Sequence, residues 1–259
     1  MSYGDWFGMN VDRTIITQVQ NEWETLINEK HREQVYHNFI RKYAGFFFFG
    51  CDCYLCISKF KLGSEYESDF VKITDRRSYG VEYEFIEIEK PSSQLFTKDG
   101  IPAKDLNTAI QQIRDWKRFL REDKVFFRKF LPAYNTRVNN DSCLKFTIII
   151  GRREECDFNI EKRNQISKEI GVEIRSFDYL TDLLKKREFF NNTWLNSDYG
   201  KFTENQLENP FAMAVTDSEW KIFCKNMKSV THFYSNNCHE VINMRRNNPL
   251  YSAFKKGNK

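Results

Sequence analysis

Hydrophobic and polar positions recur along this chain at two spacings, which together predict a mixed α/β protein. Residues 12–44 carry apolar positions at helical spacing and predict an N-terminal helix. The Phe-rich stretch 46–62 predicts one or two strands. The segments 70–73 and 81–89 predict two more strands, and the short polar turn between them predicts that these two pair antiparallel.

The second half of the predicted domain contains a helix and then a strand–helix–strand unit. Residues 105–122 show the clearest apolar stripe, and Asp105 is the expected N-cap of this helix. The apolar run 146–150 is typical of a buried strand. A helix at 161–170 and a further strand at 172–177 follow it. This order predicts that a crossover helix connects two parallel strands.

The weakening of these patterns toward the C-terminus divides the chain in two. Residues 1–190 are predicted to form one α/β domain that begins with a helical segment. Beyond residue 191 the chain is rich in asparagine and its periodicity is poor. Residues 191–259 are therefore predicted to be a mostly helical extension.

Composition excludes several broad classes of protein. The chain has 259 residues, of which 41% are hydrophobic and 29% charged, a balance that argues against intrinsic disorder. Its net charge of +4 does not by itself indicate nucleic-acid binding. The absence of a long apolar run and of a secretory signal predicts a cytoplasmic protein without a membrane span. Nucleotide-binding glycine motifs and the nucleophile-elbow motif are also absent, which disfavours ATPases, dinucleotide enzymes and serine hydrolases.

On one face of the two paired strands, the apolar residues are followed by acidic ones. Side chains alternate along a strand, so Glu87 and Glu89 continue the apolar face of the second strand. A register with Val71 opposite Phe85 buries the apolar halves of both strands. The same register places Asp69 opposite Glu87, with their Cβ atoms about 4.5–5.5 Å apart. Two carboxylates at this spacing repel each other unless a proton or a cation lies between them, and the arrangement suits Mg²⁺.

The spacing alone leaves a second interpretation open. Alternating glutamates on a strand are more often a solvated face, and Ile86 and Ile88 on the opposite face allow the strand to change its buried side. On the following helix, Gln112 and Trp116 are four residues apart and face the same way. Gln112 suits a hydrogen bond to a phosphate or to a metal-bound water. Trp116 suits either packing in the core or stacking on a base.

Five segments together resemble the Shedu family of antiphage defence nucleases, which belongs to the PD-(D/E)XK nuclease superfamily. They are FKLGSEYESDFVKI, EFIEIEKPSSQLFTKDG, AIQQIRDWKRFL, IIIGRR and SFDYLTDLL, and the resemblance covers about residues 33–188. It implies a restriction-endonuclease-like mixed β-sheet flanked by helices. It further implies a homo-oligomer that cleaves DNA with Mg²⁺, for which Mn²⁺ substitutes. Asp69 and Glu87 would bind the metal, and Gln112 and Trp116 would be the glutamine–aromatic pair of the helix.

The sequence departs from the superfamily pattern at one position. Where Glu-X-Lys is expected, it reads Glu87-Ile88-Glu89, and Lys90 is expected to point to the opposite face and contact DNA phosphates. Glu89 either replaces the lysine, acting on the attacking water or binding metal, or marks weakened activity. Glu33 stands where some members supply another metal-binding acid, although a surface glutamate is the alternative. A catalytically degraded module that binds nucleic acid or serves in assembly is the alternative function.

Overall fold

A mixed β-sheet with helices on both faces organises the described part of the chain. The computed structural model describes residues 13–48, 53–76, 81–123, 141–153, 156–187, 215–216 and 218. The helices in this part of the chain are α1 (Arg13–Asn28), α2 (Glu33–Lys42), α3 (Ala44–Phe47), α4 (Lys104–Glu122), α5 (Asp157–Ile170) and α6 (Phe177–Arg187). The strands are β1 (Cys53–Leu62), β2 (Tyr66–Asp75), β3 (Val81–Ile88), β4 (Leu144–Ile149), β5 (Glu173–Arg175) and β6 (Val215–Thr216).

The strand order in the sheet is β5-β4-β3-β2-β1-β6. Strands β1, β2 and β3 pair antiparallel, whereas β3, β4 and β5 pair parallel. Helix α5 connects the parallel strands β4 and β5, which confirms the predicted strand–helix–strand unit. The two-residue strand β6 comes from the predicted C-terminal extension and pairs parallel to β1. Apart from β6 and residue 218, the extension lies outside the described residues.

Each face of the sheet is covered by its own hydrophobic cluster. The first cluster joins the face that carries Val71 and Phe85 to the apolar stripe of α4. The second joins the opposite face, which carries Phe70 and Ile86, to α1, α2, α3 and α6. In that second cluster the Trp23 ring packs against several phenylalanines, so part of the high phenylalanine content serves packing.

The N-terminal region differs from its prediction. The expected single helix over residues 12–44 is broken after Asn28, because the Tyr36 hydroxyl accepts a hydrogen bond from the His31 N–H at 3.0 Å and donates one to the Glu29 carbonyl at 2.7 Å. The predicted strand at 46–62 is also wrong at its beginning, where Ala44–Phe47 forms the short helix α3. Helical propensity and strand propensity overlap in such short apolar runs, and burial against α6 decides the outcome.

The sequence correctly predicted the end of helix α5 but not the N-cap of helix α4. Gly171 ends α5 in the left-handed conformation, with φ +60°, as its position after the helical pattern predicts. Lys117 of α4 then donates to the last carbonyls of α5, at 2.6 Å to Ile170 O and 3.0 Å to Gly171 O. Asp105, in contrast, is not the N-cap of α4: Ala103 occupies that position, and the Asp105 carboxylate accepts a 2.6 Å hydrogen bond from Ser93 Oγ.

None of the described helices is both long enough and apolar enough to span a membrane.

Candidate active site

The predicted register of β2 and β3 is confirmed. Val71 lies opposite Phe85 and Ile73 opposite Tyr83, and the ladder of paired residues ends at Phe70 and Ile86. Asp69 is the next residue of β2, so the same register directs it toward Glu87. The Asp69 carboxylate takes the place of the missing ladder bond, because its Oδ2 accepts a 2.8 Å hydrogen bond from the Ile88 N–H.

Three of the predicted acidic residues are buried at this end of the sheet. Asp69 is 3% exposed, Glu87 7% and Glu89 9%. The interpretation of the glutamates as a solvated face is therefore wrong for Glu87 and Glu89. Carboxylates that are so far removed from water need a proton, a cation or several donors to compensate for lost hydration.

The electrostatics of the two glutamates show how close the acids lie. Burial, followed by the charges of Asp69 and Glu89, raises the pKa of Glu87 to about 9. Burial, followed by the charges of Glu33 and Asp105, raises the pKa of Glu89 to about 7. Mutual repulsion between acids supports the protonated forms, so this cluster holds protons that ordinary carboxyl groups release at neutral pH.

Helix α2 adds a fourth acid to the cluster. Glu33 stands in the first turn of α2 and is half-buried. Burial and then the charge of Asp69 raise its pKa, which places it among the same acids and not on a solvated surface. One turn later, the buried His37 stacks on Phe70 with ring centroids 4.6 Å apart, and its Nε2 lies 3.4 Å from the Asp69 carbonyl oxygen. These contacts hold α2 against β2 and so fix the position of Glu33.

A lysine that the sequence analysis did not single out also belongs to this cluster. Lys59 of β1 lies beside Asp69 in the β1–β2 register, and its Nζ forms an ion pair with Asp69 Oδ1. Burial lowers the pKa of Lys59, but the Asp69 carboxylate more than offsets this effect, so the pKa is raised overall. Lys59 lies between Ser58 and Phe60 and belongs to no recognisable motif, so only the pairing of β1 with β2 reveals this contact.

The backbone at Lys59 is also unusual. Its φ is +51°, the one positive φ of a non-glycine residue in the described part of the chain. A left-handed conformation costs a residue with a Cβ atom on the order of 1–2 kcal/mol. Here β1 changes sides: Cys56 packs in the second hydrophobic cluster, whereas Phe60 and Leu62 pack in the first.

The helix residues of the predicted site have different environments. Trp116 is 1% exposed within the first hydrophobic cluster, which favours packing over stacking on a base. Gln112 is partly buried, and its Oε1 has no hydrogen-bond partner among the described residues. It lies two helical turns beyond Asp105, about 10 Å along the axis of α4. The Lys90 side chain is 38% exposed, and its Nζ lies 3.7 Å from Asp105 Oδ2, at the edge of the acidic cluster.

The carboxylate oxygens of the acidic cluster are the type of ligand that a hard divalent cation prefers. Carboxylate oxygens are the ligands that Mg²⁺ takes from proteins, usually one or two of them together with waters and phosphate oxygens. Among the described residues, however, no three acidic, histidine or cysteine side chains already stand close enough together to hold a metal ion. The two Asp69 oxygens have protein partners, Lys59 Nζ and the Ile88 N–H.

Comparison with known proteins identifies one relationship. Residues 30–181 match the family model described as Shedu protein SduA, C-terminal. The match covers more than half of the chain and includes Glu33, Asp69, Glu87, Glu89 and Gln112. No curated protein and no solved structure shows significant similarity to the chain.

Proposed function

This chain belongs to the Shedu family, and we propose that it is a divalent-metal-dependent endonuclease that hydrolyses DNA phosphodiester bonds in antiphage defence. The observation that carries this proposal is the buried acidic cluster at one end of β2 and β3. Asp69, Glu87 and Glu89 are almost fully buried there, and two of them have strongly raised pKa values. Buried acids with perturbed pKa values are characteristic of functional sites. Burial of carboxyl groups costs free energy of folding, and a purely structural role does not require that cost.

In this proposal Asp69 and Glu87 hold Mg²⁺, and Glu33, whose pKa the Asp69 charge helps to raise, would supply a further oxygen. When bound, the ion supplies positive charge at the scissile phosphate and lowers the pKa of a bound water. Glu89 has a pKa of about 7, so it is able to accept a proton from an attacking water near neutral pH. Gln112 presents a free acceptor, which suits a hydrogen bond from such a water. Mn²⁺ is expected to replace Mg²⁺, because it accepts the same oxygen ligands.

Lys90 is the residue proposed to contact DNA. Lys90 is partly exposed at the edge of the cluster, where its ammonium group is able to contact a phosphate. Such contacts release counterions, so binding should weaken steeply as the salt concentration rises. A homo-oligomer and a cytoplasmic location remain predictions, and sedimentation velocity and cell fractionation test them.

The nuclease proposal is tested with purified protein incubated with linear and plasmid DNA in Mg²⁺, Mn²⁺ or EDTA. Cleavage that needs the metal and falls at least about 100-fold in D69N and in E87Q supports it. Glu84→Gln is the matched control, because Glu84 is a partly buried glutamate of the same strand that pairs with Lys72 on the opposite face. Cleavage that continues in EDTA, or that D69N and E87Q leave unchanged, would contradict the proposal.

One observation favours the alternative, a nuclease-like module that binds nucleic acid without cutting it. Both oxygens of Asp69 already have protein partners, and position 89 carries glutamate where lysine is expected. A module of this kind would shift DNA in a gel with or without metal. It would leave the DNA intact, and D69N and E87Q would bind as well as the wild type.

A further inference from the structure

The acidic cluster contains a cation of its own. Lys59 reaches Asp69 from the neighbouring strand, and its Nζ also lies 3.9 Å from Glu67 Oε1. Glu67 has a second partner in Lys61, whose ion pair is more exposed. The strong partner of Lys59 is therefore Asp69, the acid at the centre of the proposed metal site. This ion pair is a charge-assisted hydrogen bond, which is about twice as strong as a neutral one.

The backbone conformation of Lys59 supports a functional role for this residue. Its φ of +51° is strained for any residue with a Cβ atom, and the flanking Ser58 and Phe60 still pair with β2 in an unbroken register. β1 also has a register shift between Cys53 and Leu55, but Lys59 lies outside it. Strained backbone positions occur preferentially at functional sites. The strained backbone and the ion pair with Asp69 are separate observations, and both mark position 59.

We propose that Lys59 supplies this site with the positive charge that is missing at position 89. Lys59 pairs with Asp69 while the site is free of metal. If Asp69 were to bind a divalent ion, the Lys59 ammonium group would lose this partner and would be available to a phosphate of the substrate. This proposal rests on the proposed nuclease function and extends it, because it assigns the lysine role to a different strand from the one on which the sequence pattern places it.

In this proposal the Lys59 ammonium group and the metal ion compete for the Asp69 carboxylate. Removal of the ammonium group leaves Asp69 Oδ1 without its cation and available to a metal ion. Metal binding should then become tighter, while the chemical step should become slower because the charge near the phosphate is lost. A merely structural ion pair would not produce these two opposite effects.

The experiment compares three variants with the wild type. Lys59→Asn removes the charge and keeps a residue that tolerates the left-handed conformation, Lys59→Arg keeps the charge, and Lys61→Met removes the exposed lysine two residues away. Circular dichroism confirms that each variant is folded. Isothermal titration calorimetry then measures Mn²⁺ affinity, and plasmid cleavage measures activity.

We expect K59N to bind Mn²⁺ roughly tenfold more tightly than the wild type and to cleave DNA roughly 100-fold more slowly. K59R should recover part of the activity, and K61M should match the wild type in both measurements. A K59N variant with wild-type affinity and wild-type cleavage would overturn the assignment of Lys59. Wild-type protein that binds Mn²⁺ but never cuts DNA refutes the nuclease instead, and the affinity of K59N then still decides whether Lys59 competes for Asp69.

Discussion

In the metal-free protein, the free energy of unfolding is expected to fall as the pH rises. Replacement of Glu87 by glutamine should abolish most of this fall. The pKa of Glu87 is about 9 in the folded protein, against an ordinary value of 4.5. The folded state therefore binds this proton more tightly than the unfolded state does, so the stabilisation is present at low pH and is lost as the pH rises from about 4.5 toward 9. Between pH 5 and pH 8 the loss is about 4 kcal/mol, an upper limit because the neighbouring Glu89 also titrates in this range.

Denaturant unfolding in EDTA at pH 5 and at pH 8 measures this effect, with fluorescence of the buried Trp23 and Trp116 as the signal. Glu84→Gln is the control. Burial raises the pKa of the partly buried Glu84, but Lys72, with the Thr147 hydroxyl and Lys145, more than offsets this and holds the pKa below 4.5, so its titration lies below the range tested. E84Q should lose stability about equally at both pH values. The reasoning is refuted if wild type and E87Q lose the same free energy of unfolding between pH 5 and pH 8.

Three further predictions follow from the same structure. Metal binding at pH 8 should release about one proton from wild type and fewer from E87Q, because Glu87 is protonated before the ion binds; calorimetry in two buffers of different ionisation enthalpy measures this number. Gly151→Ala should cost more than about 2 kcal/mol, since the new Cβ would lie 2.7 Å from Ser93 O, whereas Gly171→Ala should cost about 1 kcal/mol, since its nearest neighbour is 3.6 Å away; thermal unfolding that ranks them in reverse would contradict this. Trp116→Phe should lower stability and leave DNA binding unchanged, because the ring is buried; weaker binding in a gel-shift assay would restore the stacking role.

Much of the fold was predictable because local pattern and burial agreed. The alternation of apolar residues along β2 and β3 predicted the register that places Val71 opposite Phe85, since a slip of one residue would expose every apolar side chain of the strand. The stripe of α4 predicted its buried face in the same way. The prediction failed at the phenylalanines of α3, where a short apolar run fits either a helix or a strand and only its packing partners decide.

The sequence by itself predicted the register that directs Asp69 toward Glu87, because adjacent antiparallel strands and a period of two residues leave little freedom for two acids at matched positions. Whether these acids were solvated or buried was left open by the spacing and decided by the packing. Only the tertiary structure decided what surrounds them. Lys59 reaches the cluster from β1, and no sequence signal marks its proximity. Glu33 joins it from α2, and only the family resemblance had singled out that position. The physical reason is range: periodicity reports which face of an element is buried, whereas the charges that meet at a buried site depend on how distant elements pack.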